Sequence, residues 1–113
     1  KNEKIIGDQI ITNKNMINLC GKTSITDATD LMHVSKFCIS NDSGLMHLAS
    51  STNTKSISIY GATSPELTPA LTNNREIHYK EMACSPCFEK ICKYGHYNCL
   101  EKIQVDDVFK SFK

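Results

Sequence analysis

The sequence predicts an α/β fold in which a parallel, Rossmann-like sheet carries helices on both faces. Short apolar runs with the character of strands lie at 16–20, 36–40 and 56–60, and segments with helical periodicity separate them. Each run is followed by a glycine or by a polar turn, which limits it to the length of a strand. Strands that are joined through helices lie parallel, because the helix returns the chain to the starting edge of the sheet.

The first half of the chain contains two predicted helices. Residues 3–10 place three isoleucines on one face of a helix, which we expect to end near Thr12. The second helix follows Thr23 and Ser24, either of which can accept a hydrogen bond as the N-cap. Asp27 falls in its first turn, where a negative charge is favourable. The apolar residues of this helix recur at helical spacing: Ile25, Ala28, Leu31 and Met32.

The middle of the chain repeats the strand-helix-strand pattern. The strand at 36–40 leads into the segment Asn-Asp-Ser-Gly at 41–44, and a helix is predicted over 45–51. In the strand at 56–60, serine and isoleucine alternate before Gly61 ends the run. These steps form βαβ units, which supports the parallel sheet.

After Gly61 the pattern is irregular. Pro65 and Pro69 indicate a loop over 62–74, and a short strand is predicted over 76–79. A cysteine-rich segment follows, and an amphipathic helix is predicted over 104–112. The apolar face of that helix contains Val105, Val108, Phe109 and Phe112.

Composition excludes several classes of protein. The 113 residues are 40% hydrophobic and 22% charged, which is ordinary for one small globular domain. The net charge of +1 provides neither the basic surface of a nucleic-acid-binding protein nor a polybasic membrane patch. Apolar runs are too short for a transmembrane segment, and no secretory signal is visible. The chain opens without an initiator methionine, so we interpret it as a piece of a longer protein.

The segment at 41–44 is the best candidate for a binding site. It leaves a strand and enters a helix, which places it at the carboxyl edge of the sheet, where open α/β folds bind ligands. Asp42 or Ser43 can cap the helix, and Gly44 allows a ligand to approach the backbone. The free N–H groups at the helix start suit a phosphate, whereas the Asp42 carboxylate suits sugar hydroxyls. A plain N-cap and turn is the alternative.

Two further side chains are candidates for the same edge. Lys22 follows the predicted strand at 16–20, so it can help to neutralise a ligand, although a solvated lysine is the alternative. Gly21-Lys22-Thr23 is not a P-loop, because the glycine which that motif requires five residues before the Gly-Lys pair is Met16 here. His47 falls in the first turn of the helix over 45–51, where it either contacts the ligand or serves packing.

Six cysteines form two groups. Cys20 and Cys38 lie in apolar runs and are predicted to be core residues. The other four crowd into a sixteen-residue stretch beside His96: Cys84, Cys87, Cys92 and Cys99. Four thiolates can hold a structural zinc ion or an iron–sulfur cluster, yet the later spacings are not those of a common zinc ribbon. A redox-labile disulfide pair or four packed thiols are the competing interpretations.

Three blocks in order resemble a known family. They are Asn-Leu-Cys-Gly-Lys-Thr-Ser at 18–24, Ser-Asn-Asp-Ser-Gly-Leu-Met-His-Leu-Ala at 40–49, and Tyr-Gly-Ala-Thr-Ser-Pro-Glu at 60–66. Together with the cysteine-rich tail, they are similar to the carboxyl-terminal part of the ADP-heptose:lipopolysaccharide heptosyltransferases, glycosyltransferase family 9. The resemblance implies a GT-B fold, whose carboxyl-terminal domain binds the nucleotide-sugar donor. Residues 1–80 would then be part of that domain, and 81–113 its cysteine-rich segment and last helix.

The resemblance also implies roles for particular residues. Asp42 is expected near the heptose hydroxyls, and Ser43 and Gly44 at the diphosphate through their N–H groups. Leu45 and His47 belong to the same block, and we add Lys22 as a donor contact. No catalytic residue is expected within this chain, because the family's acceptor site and catalytic base lie in the amino-terminal domain. One departure is Ala62, where the family usually has proline after the glycine.

The function that follows is transfer of heptose from ADP-heptose to the lipopolysaccharide inner core, a heptosyl-Kdo-lipid A acceptor, with loss of ADP. No cofactor is required, and any zinc would be structural. The implied location is cytoplasmic, with peripheral attachment to the inner face of the inner membrane. The alternative is a non-catalytic module, stabilised by metal or binding a nucleotide, which is complete as it stands.

Overall fold

A computed structural model describes residues 2–113 of the chain. Their helices are α1 (Asn2–Ile10), α2 (Ile25–Val34), α3 (Gly44–Ser51), α4 (Asn98–Glu101) and α5 (Val105–Lys110). Their strands are β1 (Phe37–Asn41), β2 (Lys55–Tyr60) and β3 (Arg75–Tyr79). In this part of the chain no helix has the length and apolar character that crossing a membrane requires.

The strands form one parallel sheet in the order β1-β2-β3. Phe37 stands opposite Lys55 in the first pair, and Ser56 opposite Arg75 in the second. The predicted parallel α/β sheet is confirmed, including the short last strand. Because all three strands point the same way, Asn41, Tyr60 and Tyr79 end them at one edge, the carboxyl edge.

Helices cover both faces of the sheet, as predicted. On one face Met46 of α3 packs with Tyr60 of β2 and with Ala70, and all three are fully buried. On the other face Phe37 of β1 meets Phe112, just after α5, in an edge-to-face contact with ring centroids 5.2 Å apart. The alternation in β2 allows this arrangement, because successive side chains point to opposite faces.

A polar network links the end of α5 to the face of the sheet that carries Phe37. Lys55 Nζ forms an ion pair with Glu76 Oε1 at 2.7 Å and donates to the Ser111 carbonyl at 2.7 Å. The buried Ser111 hydroxyl donates to Glu76 Oε2 at 2.6 Å and lies 2.9 Å from His78 Nε2. The hydrogen bond from Lys55, followed by that from Ser111, lowers the pKa of Glu76. These bonds link β2, β3 and the end of α5.

The strand predicted at 16–20 is not formed, so this prediction was wrong. Asn18 ties the segment to α1 instead, because its Nδ2 donates to the Lys4 carbonyl at 3.0 Å and to Asp8 Oδ1 at 2.7 Å. Ile17 is 76% exposed. An apolar run becomes a strand only where a sheet edge pairs with it, and none does so here among residues 2–113.

Other expectations need smaller corrections. Cys20 is exposed rather than part of the core, whereas Cys38 in β1 is half-buried, and burial raises the pKa of its thiol. The last helix covers only Val105–Lys110 of the predicted 104–112. The short helix α4, inside the cysteine-rich region, was not predicted.

Candidate functional site

The carboxyl edge of the sheet carries a small cavity. It has a volume of about 180 Å³ and lies between the ends of β1 and β2. The cavity is lined by Asn41, Asp42, Ile59, Gly61, Ala62, Thr63 and Leu100. This is the position at which the predicted binding segment was expected, because loops that follow parallel strands gather at one edge.

The helix α3 begins beside this cavity without a side-chain cap. Ser43 is its N-cap residue, with φ −159° and ψ 169°, but its side chain makes no capping hydrogen bond. Its hydroxyl instead lies 3.3 Å from the hydroxyl of Ser40. The predicted capping by Ser43 or Asp42 was therefore wrong.

The uncapped helix start offers backbone donors to a ligand. The N–H groups of Gly44 and Leu45 have no acceptor within the helix, since the first N–H groups of any α-helix lack one. The helix dipole adds partial positive charge at the same place. Apart from the chain neighbours of Gly44 and the backbone of α3 itself, no described atom lies within 4 Å of where a Cβ on Gly44 would stand, so the backbone there is open. An anion is the ligand that this geometry suits.

Asp42 is held by a loop that is distant in sequence. Thr68 Oγ1 donates to Asp42 Oδ2 at 2.8 Å, and Tyr60 OH donates to the Thr68 carbonyl at 2.7 Å. Burial, and after it the negative charge of Asp42, raises the pKa of Tyr60. In residues 2–113 only Oδ2 of the Asp42 carboxylate takes part in a hydrogen bond. Asp42 is thus a fixed carboxylate with its second oxygen available.

Thr68 is the residue of this site that sequence reasoning missed. It lies between Pro65 and Pro69 in the irregular loop, and no local pattern distinguishes it from other loop residues. Only the return of this loop to the sheet edge brings its hydroxyl to Asp42.

His47 lies in the first turn of α3 and is half-buried. Its Nδ1 is fully buried and has no hydrogen-bond partner in the part of the chain that the structure describes. An unpaired buried nitrogen costs free energy, about 1–3 kcal/mol. Because protein atoms cover this nitrogen completely, the ligand contact of His47 stays a prediction.

Leu45 and Lys22 are not among the residues that line the cavity at the sheet edge. Leu45 is 52% exposed and borders a second cavity of about 550 Å³, formed with α1 and the segment 16–25. Gly21 and Thr23 line this cavity, whereas Lys22 between them is exposed and takes part in neither ion pair of the described residues. Lys22 was placed at the sheet edge by a strand that does not form, so its contact with a ligand remains a prediction.

The four clustered cysteines line a third cavity of about 200 Å³. All six cysteines of the chain are free thiols. A tetrahedral metal site needs ligand atoms about 2.0–2.3 Å from one point. Among residues 2–113 no three His, Cys, Asp or Glu side chains are grouped in a way that could hold a metal. The predicted structural zinc therefore finds no support in the geometry.

The fold defines a class of protein. A parallel sheet with helices on both faces is a Rossmann-like sheet of the α/β class, and folds of this class bind ligands at the carboxyl edge, where an open helix start lies beside a carboxylate in this chain. Comparison with known families is more specific. The profile of glycosyltransferase family 9 (heptosyltransferase) matches residues 1–98. The chain belongs to this family, and its fold is that of a part of a GT-B glycosyltransferase domain.

Several relatives are named heptosyltransferases. Lipooligosaccharide heptosyltransferase 2 of Campylobacter jejuni is 31% identical over 97 residues, which are 85% of this chain and 30% of that protein. The Haemophilus influenzae protein of the same name is 44% identical over 61 residues, 54% of this chain and 18% of that protein. Lipopolysaccharide heptosyltransferase 2 of Escherichia coli is 38% identical over 60 residues, which are 53% of this chain and 17% of that protein.

The chain thus spans less than a third of the length of these curated relatives. A comparison with solved structures gives no significant match.

Proposed function

We propose that this chain is the donor-binding part of a heptosyltransferase of the type-2 branch. The donor is ADP-heptose, and the acceptor is the heptosyl-Kdo-lipid A inner core of lipopolysaccharide. Family membership supports heptose transfer, and the relatives' names point to the lipopolysaccharide or lipooligosaccharide core. The observation that carries the donor-binding role is the uncapped start of α3 at the carboxyl edge of the sheet.

In this proposal the diphosphate of the donor lies against the start of α3. The Gly44 and Leu45 N–H groups donate to phosphate oxygens, with that of Ser43 beside them. Gly44 lacks a side chain that would hold the phosphate away. The free oxygen of Asp42 accepts hydrogen bonds from heptose hydroxyls, and His47, in the first turn of α3, is a further donor contact in this proposal.

The reaction that we propose is an inverting displacement. An acceptor hydroxyl oxygen attacks the anomeric carbon of the heptose, and the bond from that carbon to the phosphate oxygen breaks. ADP leaves with the bonding electron pair, while a base outside the site described above takes the hydroxyl proton. The start of α3 stabilises the charge that grows on the leaving diphosphate, which is electrostatic catalysis. No cofactor takes part.

The acceptor also suggests where the enzyme works. It is a lipid-anchored sugar, so we propose action at the cytoplasmic face of the inner membrane, with peripheral attachment.

The test is a calorimetric titration of ADP, UDP and GDP into the full-length protein and two variants. Gly44→Pro removes one N–H group, and proline is tolerated at the first position of a helix. Ser43 already has the extended backbone that a residue before proline prefers. Gly44→Ala is the matched control, because it adds the Cβ that proline also carries but keeps the N–H, so the difference between the two variants reports the N–H and not the added side chain.

We expect selective ADP binding by the unmodified protein. Gly44→Pro should weaken that binding about 10- to 100-fold relative to Gly44→Ala, since a hydrogen bond to a charged group contributes roughly 1.5–3 kcal/mol. Equal affinities of the two variants would contradict the placement of the diphosphate. Equal or absent binding of all three nucleotides would contradict the proposal that ADP-heptose is the donor.

A further inference from the structure

The hydroxyl of Thr68 lies between two acceptors. Its Oγ1 is 2.8 Å from Asp42 Oδ2 and 3.1 Å from the Ser64 carbonyl oxygen. A threonine has one O–H to donate, and a hydrogen bond to an ionised carboxylate is roughly twice as strong as one to a neutral carbonyl. The hydroxyl therefore favours Asp42, whose carboxylate has no other hydrogen-bond partner among residues 2–113.

The backbone of Thr68 is held in place independently of this hydroxyl. Tyr60 OH donates to the Thr68 carbonyl at 2.7 Å, and Thr68 N donates to the Ser64 carbonyl at 3.0 Å. Tyr60 is fully buried and packs with the fully buried Ala70, two residues after Thr68. The loop is thus anchored to the core on either side of Thr68, and its hydroxyl is presented to Asp42 from a fixed position.

The Asp42 carboxylate also has acceptable partners close by in the sequence. Aspartate side chains commonly accept hydrogen bonds from the N–H groups two and three residues later. For Asp42 these N–H groups belong to Gly44 and Leu45 at the start of α3, where the helix dipole also attracts a negative charge. Nevertheless α3 has no side-chain cap, and the single bond of the carboxylate within residues 2–113 goes to Thr68. The more distant partner has won this competition.

We propose that Thr68 is a positioning residue, which holds the Asp42 carboxylate away from the start of α3. Without the Thr68 hydroxyl, the carboxylate turns to the N–H groups of Gly44 and Leu45 and caps the helix. A capped helix start has no free donors for a diphosphate. This consequence for ligand binding rests on the proposed function, whereas the position of the carboxylate does not.

The size of the effect follows from competition within one chain. A ligand that binds only the open helix start loses affinity in proportion to the fraction of molecules that are open. Caps of ordinary strength make the capped form several times more populated than the open one, so loss of the Thr68 hydroxyl should weaken ADP binding about 3- to 10-fold.

Three variants of the full-length protein isolate the hydroxyl. Thr68→Val keeps the branched shape of threonine and removes the O–H, while the backbone bonds to Tyr60 and Ser64 do not involve the side chain. Thr68→Ser keeps a hydroxyl and is the matched control. Thr68→Val combined with Asp42→Ala removes the competing carboxylate as well.

The first readout is calorimetric titration of ADP. We expect Thr68→Val to bind ADP about 3- to 10-fold more weakly than the wild type, and Thr68→Ser to bind it equally well. In the Asp42→Ala background, Thr68→Val should have no effect, because no carboxylate is left to cap the helix. Unchanged affinity of Thr68→Val would overturn the inference. An equal loss in both backgrounds would also overturn it, since a general structural role of Thr68 does not depend on Asp42.

The second readout uses the protein without nucleotide. Solvent exchange of the Gly44 amide hydrogen is followed by NMR on protein with isotope-labelled glycine, and Gly44→Ala identifies the resonance by its loss. Exchange should slow several-fold in Thr68→Val, because the carboxylate then accepts from this N–H. The wild-type rate should persist in Thr68→Ser and should return when Asp42→Ala is added to Thr68→Val. A wild-type rate in Thr68→Val would contradict the inference.

Together the two readouts separate this inference from the proposed function. If the wild type does not bind ADP, the proposed donor site fails, and the exchange of Gly44 alone decides where the carboxylate lies. If the wild type binds ADP selectively and Thr68→Val changes neither readout, the donor site stands and the positioning role of Thr68 fails.

Discussion

Asp42 and Ser43 are neighbours in the chain, yet different parts of the molecule hold them. The carboxylate of Asp42 is fixed by Thr68, which is 26 residues away, whereas the hydroxyl of Ser43 lies 3.3 Å from that of Ser40 near the end of β1. Asp42 is thereby positioned to accept hydrogen bonds, and Ser43 leaves the first backbone N–H groups of α3 without a side-chain cap. This arrangement supports the proposal that a single loop binds two chemically different parts of a nucleotide sugar.

At the residue scale we predict that Asp42 acts on the sugar and not on the nucleotide. Asp42→Ala in the full-length protein should lower kcat/KM for heptose transfer by about 10- to 100-fold, the value of a hydrogen bond to a charged group. Asp42→Asn keeps an oxygen for Thr68 and isolates the effect of charge. ADP affinity should not decrease in either variant. Turnover of Asp42→Ala at the wild-type rate would refute the assignment.

At the scale of elements, the two helix starts with a serine N-cap are built differently. At α2 the Ser24 hydroxyl accepts from Asp27 N at 3.1 Å, and Ser24 N donates to Asp27 Oδ2 at 2.8 Å, a complete capping box. The bond from the Ser24 backbone N–H, followed by one that the Ser24 hydroxyl donates to Asp27 Oδ2 at 2.7 Å, lowers the pKa of Asp27. At α3 the equivalent bonds are missing. The first helix start serves stability, and the second is left open.

This difference predicts unequal costs for one substitution. Ser24→Ala should lower the free energy of unfolding by about 1 kcal/mol, the usual cost of a lost N-cap. Ser43→Ala should cost clearly less, because no capping bond is lost. Chemical denaturation of the full-length variants under matched conditions measures both. A larger loss for Ser43→Ala would show that its hydroxyl stabilises the helix after all.

Helix α5, which Ser111 links to the sheet, is predicted to pack less stably at acid pH. Hydrogen bonds from Lys55 and Ser111 lower the pKa of Glu76 in the folded state. The stability that these bonds confer is therefore fully present above the usual glutamate pKa of about 4.3, and it is lost as the pH falls through the lowered pKa of the folded state. Thermal midpoints of the wild type and Glu76→Gln should differ near neutral pH and converge in acid. Glu81→Gln, at an exposed residue outside both ion pairs of the described chain, is the control. A difference between wild type and Glu76→Gln that persists in acid would contradict this account.

At the scale of the molecule, the described residues include few fully buried hydrophobic side chains and many exposed large ones. The fully buried hydrophobic residues are Met46, Ala49, Ile57, Tyr60 and Ala70. Against these, Ile17, Ile25 and Val34 are each more than 70% exposed. The outer edges of β1 and β3 also have no strand partner among residues 2–113. Large exposed apolar areas and free sheet edges mark surfaces that bind further protein.

We therefore predict that these 113 residues fold poorly when they are produced alone. The isolated chain should bind a hydrophobic dye and should unfold over a broad temperature range, since a small core provides little cooperative stability. Full-length protein measured in parallel is the reference. A sharp, reversible transition of the isolated chain without dye binding would favour the alternative of a complete, non-catalytic module.

By itself the sequence determined the order of elements from α2 to β3 and their parallel arrangement. It also determined that Asp42, Ser43 and Gly44 lie together at the carboxyl edge. These features depend on the periodicity within each segment and on the short loops between elements, and both are properties of the local sequence. The resemblance to the heptosyltransferases used the same local blocks, and the match to the family confirms it.

Only the tertiary structure decided the remaining features. The run at 16–20 has the composition of a strand, but it pairs with no sheet edge in the described chain, so Cys20 is exposed. Serine is a common N-cap residue, but the hydroxyl of Ser43 lies beside that of Ser40 instead of capping α3. Thr68 contacts Asp42 only because the long loop after β2 returns to the edge of the sheet. Each outcome depends on a partner distant in sequence or on competition between partners, and periodicity within one segment contains no information about either.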